Sequence, residues 1–373
     1  MKVLQILPEL NAGGVEHGTL EIARHLVSHG HESLVVSNGG RLVARLEDEG
    51  SRHIAMPVHR KSLASLAQIR LMRRLLEREC PDVAHYRSRV PGWITWLAWR
   101  GMNPQTRPRL VSTVHGFYSV NAYSGVMTKG ERVIAVSNSI QSYIETRYPK
   151  TPRDRIRVIP RGIDLRGYSQ QTRPDDAWLD AWTAEYPRFD GKCLLLLPGR
   201  ITRLKGHEDF FRLIAALKQA GYPAHGLIAG DTHPKKRAYL GELKAHVAES
   251  GLTDDITFLG HRSDIREVMG VSHIVCALSQ QPESFGRTVL EALALGKPVV
   301  GYDCGGVGEL LAEFFPSGKI VPGDASGLVE AAAAIIRDRP TPGAVGEPFT
   351  IDCMCRATVS VYREFVTAHG VAL

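Results

Sequence analysis

Two glutamates, Glu283 and Glu291, stand eight residues apart on either side of a predicted helix start. Apolar side chains recur at helical spacing beyond this point, and we expect the helix to begin near Phe285 or Gly286. The first turn of a helix offers backbone N–H groups that bind a phosphate or a sugar hydroxyl. Because a carboxylate accepts hydrogen bonds from two neighbouring hydroxyls at once, this segment indicates a ligand rich in hydroxyl and phosphate groups.

A pair of cations, Arg200 and Lys205, lies in the loop of the segment CLLLLPGRITRLKG. An arginine fork and a lysine point charge together suit a diphosphate. Loop cations are common on protein surfaces, and a single glutamate is more often a solvated charge than a ligand. The two cations and the two glutamates therefore indicate a ligand-binding site only when they are considered together.

These candidate groups follow apolar runs with the length of buried strands. HIVCALS precedes Glu283, and VLQILPELNAGGVEHGTLEIARHLVSHGHESLVVS reads as strand, glycine loop, helix and strand. Such units predict a parallel sheet, whose strands bind ligands at their carboxyl ends. Gly13 and Gly14 let a ligand approach the backbone without an intervening side chain. A dinucleotide-binding oxidoreductase would need G-x-G-x-x-G and an acidic residue after the second strand, and the sequence has neither.

His115 follows a third predicted strand, RLVSTV, and so is also expected at the ligand-binding edge. A lone histidine at a strand end has two interpretations, a ligand contact or a structural residue with satisfied hydrogen bonds. The sequence leaves both open.

A chain of 373 residues suits two domains. The polar stretch from Leu165 to Lys192 contains two prolines and predicts the linker and first helix of the second domain. No apolar run is long enough to span a membrane, and the amino terminus lacks the pattern of a cleavable signal, so we expect a cytoplasmic protein. The six cysteines form no C-x-x-C pair and there is no D-x-D motif. We therefore expect neither a metal nor a disulfide framework.

Positive charge is concentrated in the first part of the chain. Residues 1–165 hold 24 Lys and Arg against 14 Asp and Glu, and the remaining residues hold 22 against 25. A basic half implies an anionic partner. Aromatic residues do not alternate with the basic runs in the manner of a base-stacking surface, so we expect no nucleic acid.

The segment Lys61–Glu79 predicts a basic amphipathic helix. Its apolar face carries Leu63, Leu66, Ile69, Met72 and Leu76, and the other face carries Arg70, Arg73, Arg74 and Arg78. The simpler interpretation is a helix that connects two strands and packs on the sheet. A reversible contact of the arginines with anionic lipid or a phosphorylated glycan is compatible with it.

Four segments of the chain resemble the retaining glycosyltransferases of family 4. They are ESFGRTVLEALALGKPVV with the E-x7-E pattern, the GG-x-E opening, the P-G-R-x-x-x-x-K-G loop, and IRVIPRGIDL, which departs from the family pattern by Arg161 in place of the usual Asn. The resemblance extends from residue 1 to about residue 310. It implies an α/β protein of the GT-B fold, with two Rossmann-like domains whose parallel sheets face each other across a cleft.

The resemblance also implies boundaries for the two domains. An acceptor-side domain would span residues 1–165, together with a C-terminal helix at about 355–373 that crosses back onto it. A donor-binding domain would span residues 166–354.

The resemblance further implies roles for the candidate residues. Glu291 would hold the nucleotide ribose, while Glu283 and His115 would lie beside the reacting donor sugar. Donor binding would also involve Gly14, Arg200, Lys205 and the helix start of Ser284, Phe285 and Gly286.

We therefore predict a metal-independent, retaining hexosyltransferase with no cofactor. It would use a nucleotide-sugar donor, UDP-linked, and an anionic glycan or glycolipid acceptor of the cell envelope, as in lipopolysaccharide-core synthesis. Two alternatives are a GT-B sugar-nucleotide epimerase and a nucleotide-sugar-binding protein without turnover.

Overall fold

A computed structural model describes residues 1–11, 13–60, 65–232 and 237–366, without the side chains of Ser65, Leu66, Arg237 and Val366. Leu63 and the side chain of Leu66, both predicted on the apolar face of the basic helix, lie outside this description. Residues 367–373 of the predicted C-terminal helix also lie outside it. The chain divides into two compact units, the first formed by Met1–Gly162 with the segment from Pro348, the second by Ile163–Glu347.

The first unit is built on a parallel sheet that has seven strands in the described part of the chain. The strands are β1 (Lys2–Ile6), β2 (Glu32–Ser37), β3 (Arg52–Ala55), β4 (Val83–Tyr86), β5 (Arg109–Val114), β6 (Arg132–Ala135) and β7 (Ile156–Val158), in the order β3-β2-β1-β4-β5-β6-β7. Its helices are α1 (Gly14–Ser28), α2 (Val43–Asp48), α3 (Ser65–Glu79), α4 (Arg89–Arg100) and α5 (Asn138–Arg147).

The second unit has the same design around a parallel sheet of six described strands. The strands are β8 (Cys193–Pro198), β9 (Ala224–Ala229), β10 (Ile256–Gly260), β11 (Ile274–Ala277), β12 (Val299–Tyr302) and β13 (Lys319–Ile320), in the order β10-β9-β8-β11-β12-β13. Its helices are α6 (Asp176–Glu185), α7 (His207–Gln219), α8 (Arg237–Glu249), α9 (Ile265–Val271), α10 (Arg287–Ala294), α11 (Gly306–Phe314) and α12 (Ala325–Asp338).

The strand order explains where ligands can bind in each unit. In the first sheet the chain starts at β1, builds outward to β3, and then returns to the other side of β1 with β4. In the second sheet it starts at β8, builds outward to β10, and returns with β11. Such a reversal leaves a crevice at the carboxyl ends of the two central strands. Each unit therefore has one sheet edge that is prepared for a ligand.

The last described helix, α13 (Ile351–Val366), belongs to the first unit. Its apolar side chains are buried among residues of β1, α1 and β4 to β6, and they include Met354, Val359, Tyr362 and Phe365. Tyr362 also forms a polar contact in this interior, because its hydroxyl lies 2.7 Å from Nδ1 of His85. The other ring nitrogen of His85 lies 2.7 Å from Oγ1 of Thr113. Burial lowers the pKa of His85 well below its ordinary value, so the ring is neutral.

The helix α3 has the predicted apolar face, with Met72, Leu75 and Leu76 buried. Its arginines differ in their surroundings. Arg73 packs against the end of α4, where a Cβ on Gly101 would come within 1.2 Å of its Nη2. Arg78 forms an ion pair with Glu79, at 2.9 Å between Nη2 and Oε1.

Three of the four predicted arginines of α3, Arg70, Arg74 and Arg78, are exposed, and Arg73 is partly buried. The basic face is therefore largely solvated, although Arg78 is also paired with Glu79. Among the described residues, none of the helices is long and apolar enough to cross a membrane.

Replacing Tyr362 with Phe, or Thr113 with Val, removes one of the two hydroxyls beside His85. We expect each change to lower the free energy of unfolding by about 1–3 kcal/mol, because a ring nitrogen then stays buried without a partner. Urea unfolding followed by circular dichroism measures this loss. Thr106→Val, at an exposed position, is the matched control and should leave the urea midpoint nearly unchanged. Equal midpoints for all three variants would contradict a role of the His85 contacts in stability.

Candidate functional site

The predicted cation Lys205 and the predicted carboxylate Glu283 are direct partners. Lys205 lies in the loop after β8, and Glu283 lies in the loop after β11, the neighbouring strand. The Lys205 Nζ donates to Oε1 of Glu283 at 2.6 Å. The hydroxyl of Ser279 donates to the same carboxylate oxygen. Two loops that are far apart in sequence are thus joined at the carboxyl edge of the second sheet.

The partners of Glu283 determine its charge. Burial alone would raise the pKa of this carboxyl, but the charge of Lys205 and the hydrogen bonds from Lys205 and Ser279 outweigh burial and lower it. Glu283 is therefore an ionised carboxylate near neutral pH. It can accept hydrogen bonds from hydroxyls or stabilise a positive charge, and it cannot act as a general acid there.

Glycines hold the backbone of Glu283 in place. Gly305 has a φ of +68°, and a Cβ there would lie 2.3 Å from the carbonyl oxygen of Glu283. The next residue, Gly306, donates its N–H to that same carbonyl at 2.7 Å. The glycine turn after β12, formed by Gly305 and Gly306, therefore fixes the loop that carries the carboxylate.

A cavity of about 690 Å³ lies at the carboxyl edge of the second sheet. Arg200, Lys205, Ser279 and Glu283 all line this cavity. Its rim carries a second ion pair between Arg203 and Glu242, with Nη2 and Oε2 2.5 Å apart. The sequence-predicted residues Arg200, Lys205 and Glu283 are thus brought together around one space.

The helix after Glu283 begins slightly later than predicted. Its first residue is Arg287, and Gly286 caps it with a left-handed φ of +90°. Of the other predicted donor-binding residues, Phe285 is 6% exposed and Ser284 is half-buried. A Cβ on Gly286 would lie 2.9 Å from Val307, which explains the glycine at this position.

The second predicted glutamate, Glu291, has a different environment. Its Oε1 accepts a hydrogen bond from Nε of Arg287 at 3.1 Å, one helical turn earlier. Tyr168 lies close enough for its pKa to be raised to about 12, first by burial and then by the charge of Glu291. Glu291 thus pairs with Arg287, whereas Glu283 pairs with Lys205 and Ser279.

In the first unit, His115 lies at the carboxyl end of β5 and contacts Arg161. The Arg161 Nη2 lies 2.7 Å from Nδ1 of His115. A guanidinium can only donate, so Nδ1 accepts and the ring proton is on Nε2. The Nε2 atom is buried and has no hydrogen-bond partner within the described residues. His115 can therefore donate one hydrogen bond to a ligand.

The charge of His115 follows from its neighbours. Burial, the positive charges of Arg161 and Arg87, and the nearby His85 lower the pKa of His115 well below its ordinary value. The imidazole is neutral at physiological pH. The sequence left a structural and a ligand-binding interpretation of His115 open, and an unpartnered buried donor at a strand end favours the second.

Arg161 fits beside His115 because of a glycine in α1. A Cβ on Gly18 would come within 2.5 Å of Nη1 of Arg161. Gly18 is the last glycine of the GGVEHG loop. The glycine is visible in the sequence, but the loop motif alone does not indicate that it makes room for Arg161. At Gly14, the predicted donor-binding glycine, a Cβ would meet nothing within 4 Å, whereas Gly13 needs its φ of +142°. The backbone at Gly14 is thus open to an approaching ligand.

Three site residues were missed from the sequence. Ser279 binds Glu283, and Arg87 follows β4 with only 2% of its surface exposed. His207, next to the Lys205 loop, has a buried and unpartnered Nδ1, and burial and the charge of Lys205 lower its pKa to about 4. Each follows a strand or loop end directly, which is the only signal the sequence offered.

The described residues contain no group of three or more His, Cys, Asp or Glu side chains with the geometry to hold a metal ion. The assignment of the individual residues to donor, ribose and sugar stays a prediction, as does the absence of a metal from the reaction.

Replacing Lys205 with Met removes the charge that lowers the pKa of Glu283. We expect that pKa to rise above the ordinary value of a glutamate, because burial then acts almost alone. A pH titration of the side-chain carboxyl carbons by NMR, with Glu283→Gln to assign the signal, measures the shift. Lys218→Met breaks an ion pair with Asp255 elsewhere in the second unit and should leave Glu283 unaffected. An unchanged Glu283 titration in Lys205→Met would rule out the electrostatic coupling.

Replacing Arg161 with Asn removes the donor to His115 and one neighbouring positive charge. We expect the pKa of His115 to rise, though not to its ordinary value, because burial remains. Nitrogen chemical shifts of the imidazole report both the pKa and the site of the proton. Arg153→Asn, at an exposed position paired with Glu145, is the charge-matched control. If Nδ1 and Nε2 titrate identically in Arg161→Asn and the wild type, Arg161 does not set the tautomer.

Comparison with known proteins gives the family. The sequence model of Glycosyltransferase Family 4 matches residues 12–166, and that of Glycosyl transferases group 1 matches residues 180–347. Among curated relatives, the lipopolysaccharide core biosynthesis mannosyltransferase LpsB of Rhizobium meliloti is 30% identical over 246 residues. The aligned part covers 63% of this chain and 66% of LpsB, slightly less than two thirds of its length.

Solved structures resemble this chain over nearly its whole length. A glycosyltransferase from Rickettsia africae has a TM-score of 0.85 at 28% identity, with 98% of each chain covered. Anabaena Alr3699/HepE, in complex with UDP-glucose, has a TM-score of 0.74 at 21% identity, with 99% of each chain covered. The two family models together cover most of the chain, and each unit has the parallel sheet of a Rossmann-like domain. The chain therefore belongs to the family 4 glycosyltransferases and has the predicted GT-B fold.

Proposed function

We propose that the protein is a retaining hexosyltransferase that moves a sugar from a nucleotide donor, UDP-linked, to a cell-envelope glycan such as lipopolysaccharide core. The observation that carries this proposal is the cavity in which Arg200 and the Lys205–Glu283 pair lie together. The mannosyltransferase LpsB is named for lipopolysaccharide core biosynthesis, which supports the acceptor class. The UDP-glucose complex of HepE supports the donor class.

The cations of the cavity provide for the leaving group. Departure of a nucleoside diphosphate leaves negative charge on the phosphate oxygens, and fixed cations stabilise that charge without reorganisation. Arg200 is exposed at the cavity, and Lys205 is held in position by Glu283. Because these charges belong to the chain itself, we propose that the reaction needs no metal and no other cofactor.

Glu283 and His115 would act on the sugar. An ionised Glu283 can accept hydrogen bonds from the sugar hydroxyls and offset the positive charge of an oxocarbenium-like state. A neutral His115 with its proton on Nε2 can donate to a sugar oxygen. We propose that the acceptor attacks from the face that the diphosphate leaves, which gives retention without a covalent intermediate on a carboxylate.

The acceptor is proposed to be an anionic glycan or glycolipid, because the first 165 residues hold 24 basic against 14 acidic residues. A peripheral contact with the inner face of the cell membrane is part of this proposal. The exposed Arg70 and Arg74 of α3 are the candidates for it, since Arg73 and Arg78 are engaged elsewhere. Nucleic acid is not a proposed partner.

Incubation with UDP-sugars, with and without acceptor glycan, tests the function. A transferase releases UDP in proportion to glycosylated acceptor, whereas an epimerase converts the donor without acceptor and a binding protein releases nothing. A thermal-shift screen of nucleotides identifies the base beforehand.

An excess of chelator should leave the rate of transfer unchanged, and a loss that magnesium or manganese restores would overturn the metal-independent mechanism.

Substitutions of the two glutamates should have different effects on donor binding and on turnover. We expect Glu291→Ala to weaken UDP binding, because the ribose loses an acceptor, and Glu283→Ala to lower kcat with a smaller effect on affinity. A loss of about 2–4 kcal/mol of transition-state stabilisation, or roughly 30- to 1,000-fold in kcat, is typical for removing one electrostatic group. Calorimetry with UDP and steady-state rates measure the two effects.

Glu242→Ala, which breaks the ion pair on the rim of the same cavity, is the control and should change both quantities little. The ribose assignment fails if Glu291→Ala binds UDP as tightly as the wild type.

A further inference from the structure

A second large hollow lies in the first unit, on the outer side of α4, and we call it the tryptophan groove. Its volume is about 1120 Å³. Three tryptophans of α4 line it, one helical turn apart, namely Trp93, Trp96 and Trp99. The opposite walls come from the loop before β6 and from the segment that joins α5 to β7.

The tryptophans are held rigidly. The Nε1 of Trp93 donates to the carbonyl of Tyr123 at 2.8 Å, and the Nε1 of Trp99 donates to the carbonyl of Pro108 at 2.7 Å. Trp96 packs edge-to-face on Trp93, with ring centroids 5.4 Å apart. Trp93 and Trp96 are only half-buried. Rigid, partly exposed aromatic rings are suitable surfaces for stacking a flat apolar ligand face.

Six cations surround these rings. They are Arg100, Arg107, Lys129, Arg147, Lys150 and Arg155. Within the described residues, none of the six has an ion-pair partner. The one carboxylate of the lining, Glu131, is engaged by Nη1 of Arg109 at 3.0 Å and by the N–H of Leu110 at 2.9 Å. The groove therefore has a strong excess of positive charge that the protein itself does not neutralise.

Several of these cations contact the tryptophans. Lys129 lies 4.5 Å and Arg100 4.8 Å from the ring centroid of Trp96, and Arg107 lies 3.4 Å from that of Trp99. Charge and aromatic surface are thus adjacent, as binding of an anionic group next to a ring would require.

The groove is separate from the edge that carries His115. Arg107 lies two residues before β5, and Glu131 and Arg155 immediately precede β6 and β7, whereas His115 follows β5. Because all the strands are parallel, the starts of the strands lie at the edge opposite to their ends. The groove is thus not part of the site described above.

We propose that the tryptophan groove binds an anionic glycan, with sugar rings on the half-buried Trp93 and Trp96 and phosphate or carboxylate groups on the cations. This inference rests on the proposed function, in which the acceptor is a glycan, and it adds a second contact that holds the acceptor away from the transfer site. A membrane surface fits less well, because insertion needs exposed apolar side chains. Of the large exposed hydrophobic residues in the described chain, only Val120, 53% exposed, lines the groove.

The test is binding of a lipid-free, phosphorylated core oligosaccharide to the full chain by calorimetry. Lys129→Gln with Lys150→Gln removes one charge from each of two walls and should weaken binding roughly tenfold, the loss expected for two exposed charge pairs. Arg24→Gln with Arg45→Gln removes two exposed charges of α1 and α2 from the same unit and is the matched control. It should bind the oligosaccharide like the wild type.

Two further measurements separate the contribution of the phosphate groups from that of the aromatic rings. The same oligosaccharide after removal of its phosphates should bind the wild type about tenfold more weakly and be insensitive to the lysine changes. Trp96→Ala should weaken both forms, because stacking does not depend on phosphate. Thermal unfolding confirms that each variant is folded.

Equal affinity of the Lys129/Lys150 variant and the wild type for the phosphorylated oligosaccharide would overturn the proposal. So would a groove that binds vesicles of phosphatidylglycerol, or a short single-stranded DNA, more tightly than the oligosaccharide. UDP binding, measured on the same samples, reports on the donor cavity alone. A protein that binds the oligosaccharide but never transfers a sugar would refute the proposed function and leave this inference standing.

Discussion

The ion pair between Lys205 and Glu283 is the interaction on which the donor cavity depends. It joins the loops after β8 and β11, which are the two neighbouring strands where the order of the second sheet reverses. It also keeps Glu283 ionised despite its burial. Without this partner, burial would raise the pKa of the half-buried carboxylate and favour its protonated form, which cannot stabilise positive charge. The position and the chemistry of the site therefore have the same physical cause.

Much of this arrangement could be predicted because it is local in sequence. The apolar run before Glu283 and the Gly296-Lys297-Pro298 exit after α10 indicate a strand and a helix, and both are present. Glycine patterns likewise predicted the loops after β1 and β8. Parallel pairing then requires that the ends of these strands share one edge, so the sequence alone predicts that Arg200, Lys205 and Glu283 lie close together.

What could not be predicted depends on contacts between distant segments. Arg73 has the helical spacing of a solvated residue, yet it packs on Gly101, because the spacing says nothing about the neighbouring helix. Tyr362 is buried among the apolar residues of α13, yet its hydroxyl contacts His85, 277 residues earlier in the chain. Arg161 was seen as a departure from a motif, but its effect on the tautomer of His115 needed the distance between them. Such side chains gain their roles from tertiary packing alone.

The fold determines where the excess positive charge of the first 165 residues is concentrated. An excess of ten basic residues in the first 165 indicates an anionic partner but not its place. The sequence drew attention to α3, where four arginines are close together, yet two of them are engaged with other groups. The six cations of the tryptophan groove are scattered over residues 100–155 and form no run. They converge because the chain returns to the same sheet edge before β5, β6 and β7, so the topology concentrates charge that the sequence disperses.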